Sequence, residues 1–378
     1  MMKLYCSSRL VSSRLVSSRL ASKKSSFGLG FRLLLSMMSA AALLAGCEDG
    51  SDLGVQPYYT AEGFLIYPGG PKTTLYRVEA KNDPSLFEYN PPPEGVVLDD
   101  SMPTGATAER FASNIEYVPQ GGMLGNRVCR AIPEDAKPAV VAALNIWSTV
   151  LNSSVPIRVS VCWSTLAWNI LAEASPTNEV QSGSIRRPVA LANALAGRDI
   201  LPAETDFEVT INSTQQWHFS PTNAVPATQL DTHTDLTSTL LHEMGHSLGF
   251  ISSETVVSGR GRWLNDPANN VFDTFLRDAN GNALTNRSVY PNNSTALLNA
   301  FRSSQVTFQG ANAMAANGGR PVPIESIAQY SSSSISHLAD ATFQPVRRVG
   351  VNRLMTTFGA PGDRNHNPGP IATVCRQL

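Results

Sequence analysis

Apolar residues recur at helical spacing in two stretches of the 378-residue chain. The first stretch runs from Pro133 to Leu151, and its apolar positions lie three or four residues apart, which indicates a helix with one buried face. The second begins after Asp235, a residue that can cap a helix, and stays periodic from Leu236 to Leu248, where Gly249 ends it. The pattern therefore predicts two helices, of which the second has the better defined ends.

Apolar and polar residues alternate at the spacing of strands in residues 157–162 and 207–211, and a short strand-like run lies at residues 64–67. A helix followed by a strand is typical of layered folds in which helices cover a sheet. We therefore predict an α+β fold with a twisted sheet. Within residues 253–336 the pattern predicts only two short helices, around Val271 to Leu276 and around Ala296 to Ser303.

The N-terminus has the composition of an export signal. Residues 1–32 contain seven Lys or Arg and no acid, and an apolar run from Leu33 to Ala45 follows them. This run is shorter than the roughly 20 residues that a membrane-spanning helix needs. It ends in Leu44-Ala45-Gly46-Cys47, which resembles a bacterial lipobox. That resemblance implies cleavage before Cys47, lipid on its thiol and anchoring to a bacterial membrane, whereas an ordinary signal peptide with a chance cysteine is the alternative.

Export also bears on location and partners. Glu48 follows the lipid cysteine, which resembles lipoproteins that are sorted to an outer membrane or the cell surface. Without segment 1–46 the chain has 22 Lys and Arg against 30 Asp and Glu, so its net charge is −8. An acidic protein of this kind is not expected to bind nucleic acid.

Composition divides the chain into three parts. Segment 1–46 is the predicted signal peptide. Segment 47–110 is rich in Gly, Pro and Asp, so we expect a tether with a small accessory segment, or alternatively a pro-segment. Segment 111–378 is the predicted globular domain, with 253–336 as an inserted subdomain.

Three cysteines follow Cys47, in a compartment where disulfides persist. Cys129 precedes the first predicted helix and Cys162 closes the strand after it, which favours a bridge between these two and leaves Cys375 free. Sequence alone does not fix this connectivity.

The second predicted helix contains His242-Glu243-Met244-Gly245-His246, an HExxH motif. Histidines four residues apart lie on the same helical face and can bind one metal ion, while Glu243 is rotated by about 100° from His242. Zinc lowers the pKa of water to about 7, and a neighbouring carboxylate can then accept its proton. The motif therefore predicts a zinc site with Glu243 as general base.

Beyond this motif, the stretch HEMGHSLGF resembles metzincin peptidases, in which the chain turns sharply at the glycine that corresponds to Gly249. Compact metzincins would have their third histidine at the position of Ser252. The leishmanolysin-like branch instead has a long insertion before that histidine, followed by a methionine turn. This resemblance implies a zincin fold, His337 as the third ligand and Met355 as the methionine beneath the metal.

Five other residues are candidates for the third ligand. His366 lies in Gly-, Asn- and Pro-rich sequence that suits a surface position, His218 is expected to pack after a strand, and His233 lies where a loop enters the helix. A glutamate ligand, at Glu254 or Glu325, is the alternative that a gluzincin-like site would require.

The sequence therefore predicts a zinc endopeptidase that cleaves protein or peptide substrates, with one catalytic Zn²⁺ bound by His242, His246 and His337. The alternative from another class is a surface lipoprotein with a degenerate zincin fold that binds a partner or scavenges zinc. Glu243 favours the enzyme, since a binding protein would not need a carboxylate beside the metal.

Overall fold

A computed structural model describes residues 56–77, 89–96, 98, 114–151, 153–222, 227–229, 232–326, 334–344 and 352–374. The predicted signal segment, Cys47 and Cys375 lie outside these ranges. Within them the protein is a mixed α+β structure with several small sheets.

The α-helices of the described residues are α1 (Lys137–Val150), α2 (Val189–Ala196), α3 (Leu236–Ser247), α4 (Thr295–Phe301), α5 (Ala311–Ala316), α6 (Asp340–Phe343) and α7 (Gly369–Val374). Short 3-10 turns lie at Glu134–Ala136, Ala227–Gln229 and Phe272–Phe275. The strands are, in chain order, β1 (Tyr58–Tyr59), β2 (Leu65–Pro68), β3 (Thr73–Arg77), β4 (Tyr89–Asn90), β5 (Ile115–Tyr117), β6 (Met123–Leu124), β7 (Arg127–Val128), β8 (Val159–Ser164), β9 (Ile170–Pro176), β10 (Asn178–Ser182), β11 (Ile185–Pro188), β12 (Phe207–Asn212), β13 (Trp217–His218), β14 (Thr234–Asp235), β15 (Glu254–Val257), β16 (Arg260–Trp263), β17 (Asn269–Asn270), β18 (Leu276–Arg277), β19 (Thr307–Phe308), β20 (Val322–Pro323), β21 (Phe358–Gly359) and β22 (Arg364–Asn365).

The largest sheet has six strands in the order β21-β3-β9-β12-β8-β5. Strand β12 pairs in parallel with β8 and antiparallel with β9, and β3 pairs antiparallel with β9. All six residues of β8 are buried, because the strand has neighbours in the sheet and is covered on both faces. The two alternating stretches of the sequence are therefore adjacent central strands.

Helices α1 and α3 pack against each other, and α3 also packs on β9, β3 and β12. Trp147 of α1 is fully buried, and its indole Nε1 donates a hydrogen bond to the Leu241 carbonyl of α3 over 3.0 Å. Burial of such a side chain contributes several kcal/mol, about 3–5 kcal/mol by truncation to alanine. This contact fixes α3, which carries the HExxH motif, against the rest of the core.

The described parts of segment 47–110 belong to the sheets. Strand β3 is part of the six-stranded sheet, and β2 pairs with β10 in a five-stranded sheet of order β1-β2-β10-β11-β17. Backbone hydrogen bonds thus join these residues to strands β9 and β10, and the role of segment 47–110 as a tether with an accessory segment, or as a pro-segment, stays a prediction. Strand β17 comes from the predicted insertion, so the insertion also contributes to this sheet.

The predicted insertion has its own small elements. Strands β15 and β16 form a hairpin beside α4, and β18, β19 and β20 form a three-stranded sheet. The predicted helix at 296–303 corresponds to α4, while the one at 271–276 is only the 3-10 turn Phe272–Phe275. The insertion is therefore mostly strand and turn.

A disulfide joins Cys129 to Cys162, and both residues are buried. It links the segment before α1 to β8, so the chain around the first helix is closed covalently. Within the described residues, none of the helices has both the length and the apolar character that a bilayer crossing requires.

A buried carboxylate anchors the insertion to the five-stranded sheet. Glu179 of β10 accepts hydrogen bonds from the side-chain amides of Asn265 and Asn270 over 3.0–3.3 Å and lies 3.8 Å from Arg186. Burial raises the pKa of Glu179 to about 7, against an ordinary value of 4.5, although Arg186 opposes the shift.

This raised pKa predicts a pH dependence of stability. Between the unfolded and folded pKa values the native state holds a proton that the unfolded state has lost, so the free energy of unfolding falls as the pH rises through that window. Between about pH 4.5 and about pH 8, we expect the free energy of unfolding of the wild type to fall by on the order of 3 kcal/mol relative to that of Glu179→Gln. Urea unfolding of both proteins at the two pH values measures this. The exposed Glu134→Gln is the control, and parallel curves for wild type and Glu179→Gln would contradict the prediction.

Candidate metal centre

Helix α3 begins and ends where the sequence predicts. Asp235 is its N-cap, and the Asp235 carboxylate accepts a hydrogen bond from the Ser238 backbone amide over 2.8 Å. The last helical residue is Ser247, and Gly249 has a φ of 122°, a backbone conformation that favours glycine. Both ends follow from local chemistry, which is why the pattern predicted them.

The turn at Gly249 leads the chain back over the end of α3. The Phe250 amide donates to the Gly245 carbonyl over 3.1 Å, and the Phe250 carbonyl accepts a hydrogen bond from His246 Nδ1 over 2.7 Å. This bond orients the His246 ring with its Nε2 atom away from the turn.

His337 reaches the helix from 91 residues along the chain. Its carbonyl accepts a hydrogen bond from the Glu325 amide over 2.8 Å, and the next residue, Leu338, forms an antiparallel bridge with Ile324. The Leu338 amide also donates to the Met355 carbonyl over 2.8 Å. The chain directly after β20 and the segment around Met355 thus hold this histidine in place.

The three histidines converge on a single point. The distance between Nε2 atoms is 2.9 Å from His242 to His246, 3.1 Å from His242 to His337, and 3.2 Å from His246 to His337. Metal–nitrogen bonds of about 2.0–2.1 Å in a tetrahedral site would place such atoms roughly 3.3 Å apart. The three residues therefore form a possible metal-binding triad.

The protonation of these rings supports metal binding. His242 Nδ1 lies 2.6 Å from the Leu354 carbonyl and His246 Nδ1 lies 2.7 Å from the Phe250 carbonyl, and since a carbonyl only accepts, each Nδ1 carries the proton. The Nε2 lone pairs of both rings then face each other, an arrangement that a cation between them would stabilise. Burial lowers the pKa of His242 to about 4 and that of His246 well below its ordinary value, so both rings are neutral at pH 7.

Met355 lies next to the motif. It is fully buried in a turn that the Thr356 amide closes by donating to the Arg353 carbonyl over 3.1 Å. A Cβ atom at residue 245 would lie 2.6 Å from Met355 Sδ, so this close contact needs the glycine of the motif. The residue before Met355 is Leu354, whose carbonyl orients the His242 ring by accepting a hydrogen bond from Nδ1.

Glu243 follows His242 on α3 and is fully buried, as are His246 and His337, while His242 is 2 % exposed.

A cavity borders His242 on the side of the N-terminal half of α3. It is lined by residues of β14, α3 and the chain from 353 to 365, namely Thr234, Asp235, Ser238, Thr239, His242, Arg353, Leu354, Thr356, Phe358, Gly359, Ala360, Asp363 and Asn365.

The other histidines that the structure describes lie outside the triad. His218 Nδ1 is 2.8 Å from the Gln229 side-chain oxygen, and His233 Nδ1 is 2.8 Å from the Thr232 hydroxyl. The prediction that His366 is a surface residue is wrong, because it is fully buried. Its Nε2 lies 2.8 Å from an Asp235 oxygen and its ring packs edge-on against Tyr89.

The two glutamates weighed as alternative ligands are not part of the triad either. Glu325 Oε2 accepts a hydrogen bond from the Asp340 amide over 2.8 Å, and Glu254 is in the hairpin strand β15. Among the described residues, the cluster suited to a metal is thus the histidine triad alone.

Sequence reasoning missed the residues that support α3 from the far end of the chain. Arg364 Nε lies 3.4 Å from Asp235 Oδ2, so the cap of α3 is bonded to both Arg364 and His366. Burial disfavours the charged form of Asp235, yet His366 and Arg364 hold the pKa of its carboxyl well below the ordinary value. Arg364 and His366 are two residues apart in the sequence, but this spacing does not indicate which residue they contact.

Comparison of the chain with protein-family models, with curated proteins and with solved structures gave no match.

Proposed function

We propose that the protein is a zinc-dependent endopeptidase with a metzincin-type active site. The observation that carries this proposal is the convergence of the Nε2 atoms of His242, His246 and His337 within 3.2 Å of one another, at a helix in which the buried Glu243 directly follows His242.

The donor set supports zinc in particular. Neutral imidazole nitrogens are common zinc ligands, and three protein ligands leave a fourth position for substrate or water, as catalytic zinc sites do. The Leu354 and Phe250 carbonyls set the tautomers of His242 and His246, which is the usual outer support of such a site. When bound, zinc acts as a Lewis acid that lowers the pKa of water and polarises a carbonyl group.

Glu243 is the proposed general base. Its carboxylate accepts the proton of the attacking water and later donates it to the leaving amine, so one residue moves the proton in both steps. Burial of Glu243 suits this role, because a carboxylate shielded from bulk water exchanges its proton with the reacting groups rather than with solvent.

The cavity beside His242 is the proposed place for a substrate side chain next to the cleaved bond. Arg353 and Asp363 form an ion pair at its wall, and Thr239 and Ala360 line it with small side chains. The proposed substrate is unfolded protein or peptide, the class that the resemblance to metzincin peptidases implies.

The export signal completes the proposal. Cleavage before Cys47 and lipid on its thiol would anchor the enzyme at the outer membrane or cell surface, with several acyl chains giving stable attachment. Membrane fractionation of cells expressing the chain, compared with a Cys47→Ala variant, tests this, and equal solubility of the two proteins would contradict it.

A metal-holding lipoprotein without catalysis is the second candidate, and the near-complete burial of all three imidazoles favours it. Both candidates share the triad, and they differ in whether Glu243 acts on a substrate.

Zinc content and cleavage of unfolded casein test the proposal. We expect one zinc per chain by atomic emission, and casein cleavage that a chelator removes and added zinc restores. Zinc without cleavage of casein or of a random peptide library would support the second candidate, and a protein that binds no zinc would contradict both.

A further inference from the structure

Asp273 is a buried carboxylate that bonds to the chain directly after the Gly249 turn. It lies in the 3-10 turn Phe272–Phe275 and is 1 % exposed. One of its oxygens accepts a hydrogen bond from the Ser252 hydroxyl over 2.6 Å, and the other accepts from the Ser253 hydroxyl over 2.6 Å and from the Ser253 amide over 3.1 Å. Bonds to an ionised carboxylate are about twice as strong as neutral ones, so this segment is fixed tightly.

The fixed segment in turn contacts the loop that carries His337. The Ser252 amide donates a hydrogen bond to the Ser336 hydroxyl over 3.1 Å, and Ser336 directly precedes His337. Both serines are buried, so solvent does not replace this bond if the segment moves.

The same segment also supports a second ligand. It begins at Phe250, whose carbonyl accepts the Nδ1 proton of His246, and the Phe250 ring packs against that of Phe272 with the ring centres 5.0 Å apart. Asp273 and its neighbour thus hold both ends of residues 250–253, and a shift of that segment would move the supports of His246 and His337 together.

We propose that Asp273 is a positioning residue for the metal triad, acting through Ser252 on Ser336 and His337. This inference rests on the proposed metal centre. Three imidazoles must stay within a few tenths of an ångström of a productive geometry to bind a metal tightly, and outer groups that fix them typically contribute about 10–100-fold in affinity.

Glu179 provides the matched control. It is also a buried carboxylate with hydrogen bonds to the inserted region, through Asn265 and Asn270, but those bonds lie on the five-stranded sheet. Glu179→Ala and Asp273→Ala should both lower the melting temperature of the metal-free protein. A purely structural role for Asp273 would make the two variants alike in every other measurement.

The deciding experiment measures the Kd for zinc by competition with a chromophoric chelator, on the full chain at about pH 8. At that pH the Asp273 carboxyl, whose pKa burial raises to about 6, is ionised. We expect Asp273→Ala to weaken zinc binding by about tenfold or more, and Glu179→Ala to leave the Kd unchanged. The visible spectrum of the cobalt-loaded protein should change in Asp273→Ala and stay as in wild type in Glu179→Ala.

Two milder substitutions test the same contacts with a smaller disturbance of the fold. In Asp273→Asn the amide oxygen can accept from Ser253 while the amide group donates to the Ser252 hydroxyl, so most of the affinity should return. Ser336→Ala removes one hydrogen bond and should weaken zinc binding by about two- to tenfold with a smaller change in melting temperature.

Unchanged zinc affinity in both Asp273→Ala and Ser336→Ala would overturn the proposal, as would an equal loss in Glu179→Ala. In either case a wild-type protein that binds zinc leaves the metal centre itself standing. A wild-type protein that binds no zinc contradicts the metal centre and, with it, this inference.

Discussion

Replacement of Glu243 by glutamine is expected to abolish casein cleavage while one zinc per chain stays bound. Glutamine has nearly the same shape as glutamate, so the buried position of Glu243 on α3 stays filled. It cannot accept a proton at pH 7, and loss of a general base typically lowers a rate by about 10²–10⁴-fold. Steady-state cleavage rates, together with zinc content by atomic emission, measure the two halves of this prediction.

Glu254→Gln is the matched control, because Glu254 is another buried carboxylate close along the chain and lies outside the triad. It should retain both zinc and activity. Full activity in Glu243→Gln would show that another group accepts the proton, and loss of zinc in that variant would show that Glu243 supports the metal rather than the reaction.

Helix α3 could be predicted because its determinants are local. Asp235 caps α3, apolar residues repeat along it, and Gly249 ends it with a positive φ. The same holds for the position of His242 and His246 on one face, which follows from a spacing of four residues. The structure agrees with all of these features, and no long-range information was needed for them.

His337 is a different case. Its neighbourhood contains no periodic pattern, and only the resemblance to leishmanolysin-like peptidases pointed to it among the remaining histidines. In the structure, its place depends on pairing with residues 324–325 and on the Met355 carbonyl. Such contacts join distant parts of the chain, and sequence spacing carries no direct record of them.

The pairing of strands β2 and β3 and the burial of His366 also depend on contacts between distant parts of the chain. Strands β2 and β3 are short and lie in Gly- and Pro-rich sequence, and their backbone groups pair with the distant strands β10 and β9. His366 lies in sequence typical of a surface loop, but Asp235 and Tyr89 cover it. In each case the partner lies more than ninety residues away along the chain.

These long-range contacts meet at helix α3. The C-terminal segment binds its N-cap through Arg364 and His366, and strand β3 packs against its side. The chain directly after the inserted region supplies His337, which meets the C-terminal half of α3. Helix α3 is therefore supported at both ends by chain that is remote in sequence, which explains how two polar rings and a carboxylate can be buried on it without loss of order.

Replacement of His337 by alanine is expected to weaken zinc binding strongly, because it removes one of the three proposed ligands. The loss should exceed the roughly 10–100-fold that follows removal of a group that only hydrogen-bonds to a ligand. Casein cleavage should fall with the zinc content. His366→Ala is the matched control: it removes a histidine that is buried like His337, so it should lower the melting temperature, but it leaves the triad intact and should retain one zinc per chain.

Unchanged zinc affinity in His337→Ala would place the third ligand elsewhere and revive the glutamate alternatives. The structure argues against that result. Glu325 Oε2 is already bonded to the Asp340 amide, and Glu254 pairs with Trp263 in the β15–β16 hairpin. Glu325 would have to give up that hydrogen bond, and neither glutamate clusters with the histidines, whereas His337 Nε2 lies within 3.2 Å of both His242 and His246 without any rearrangement.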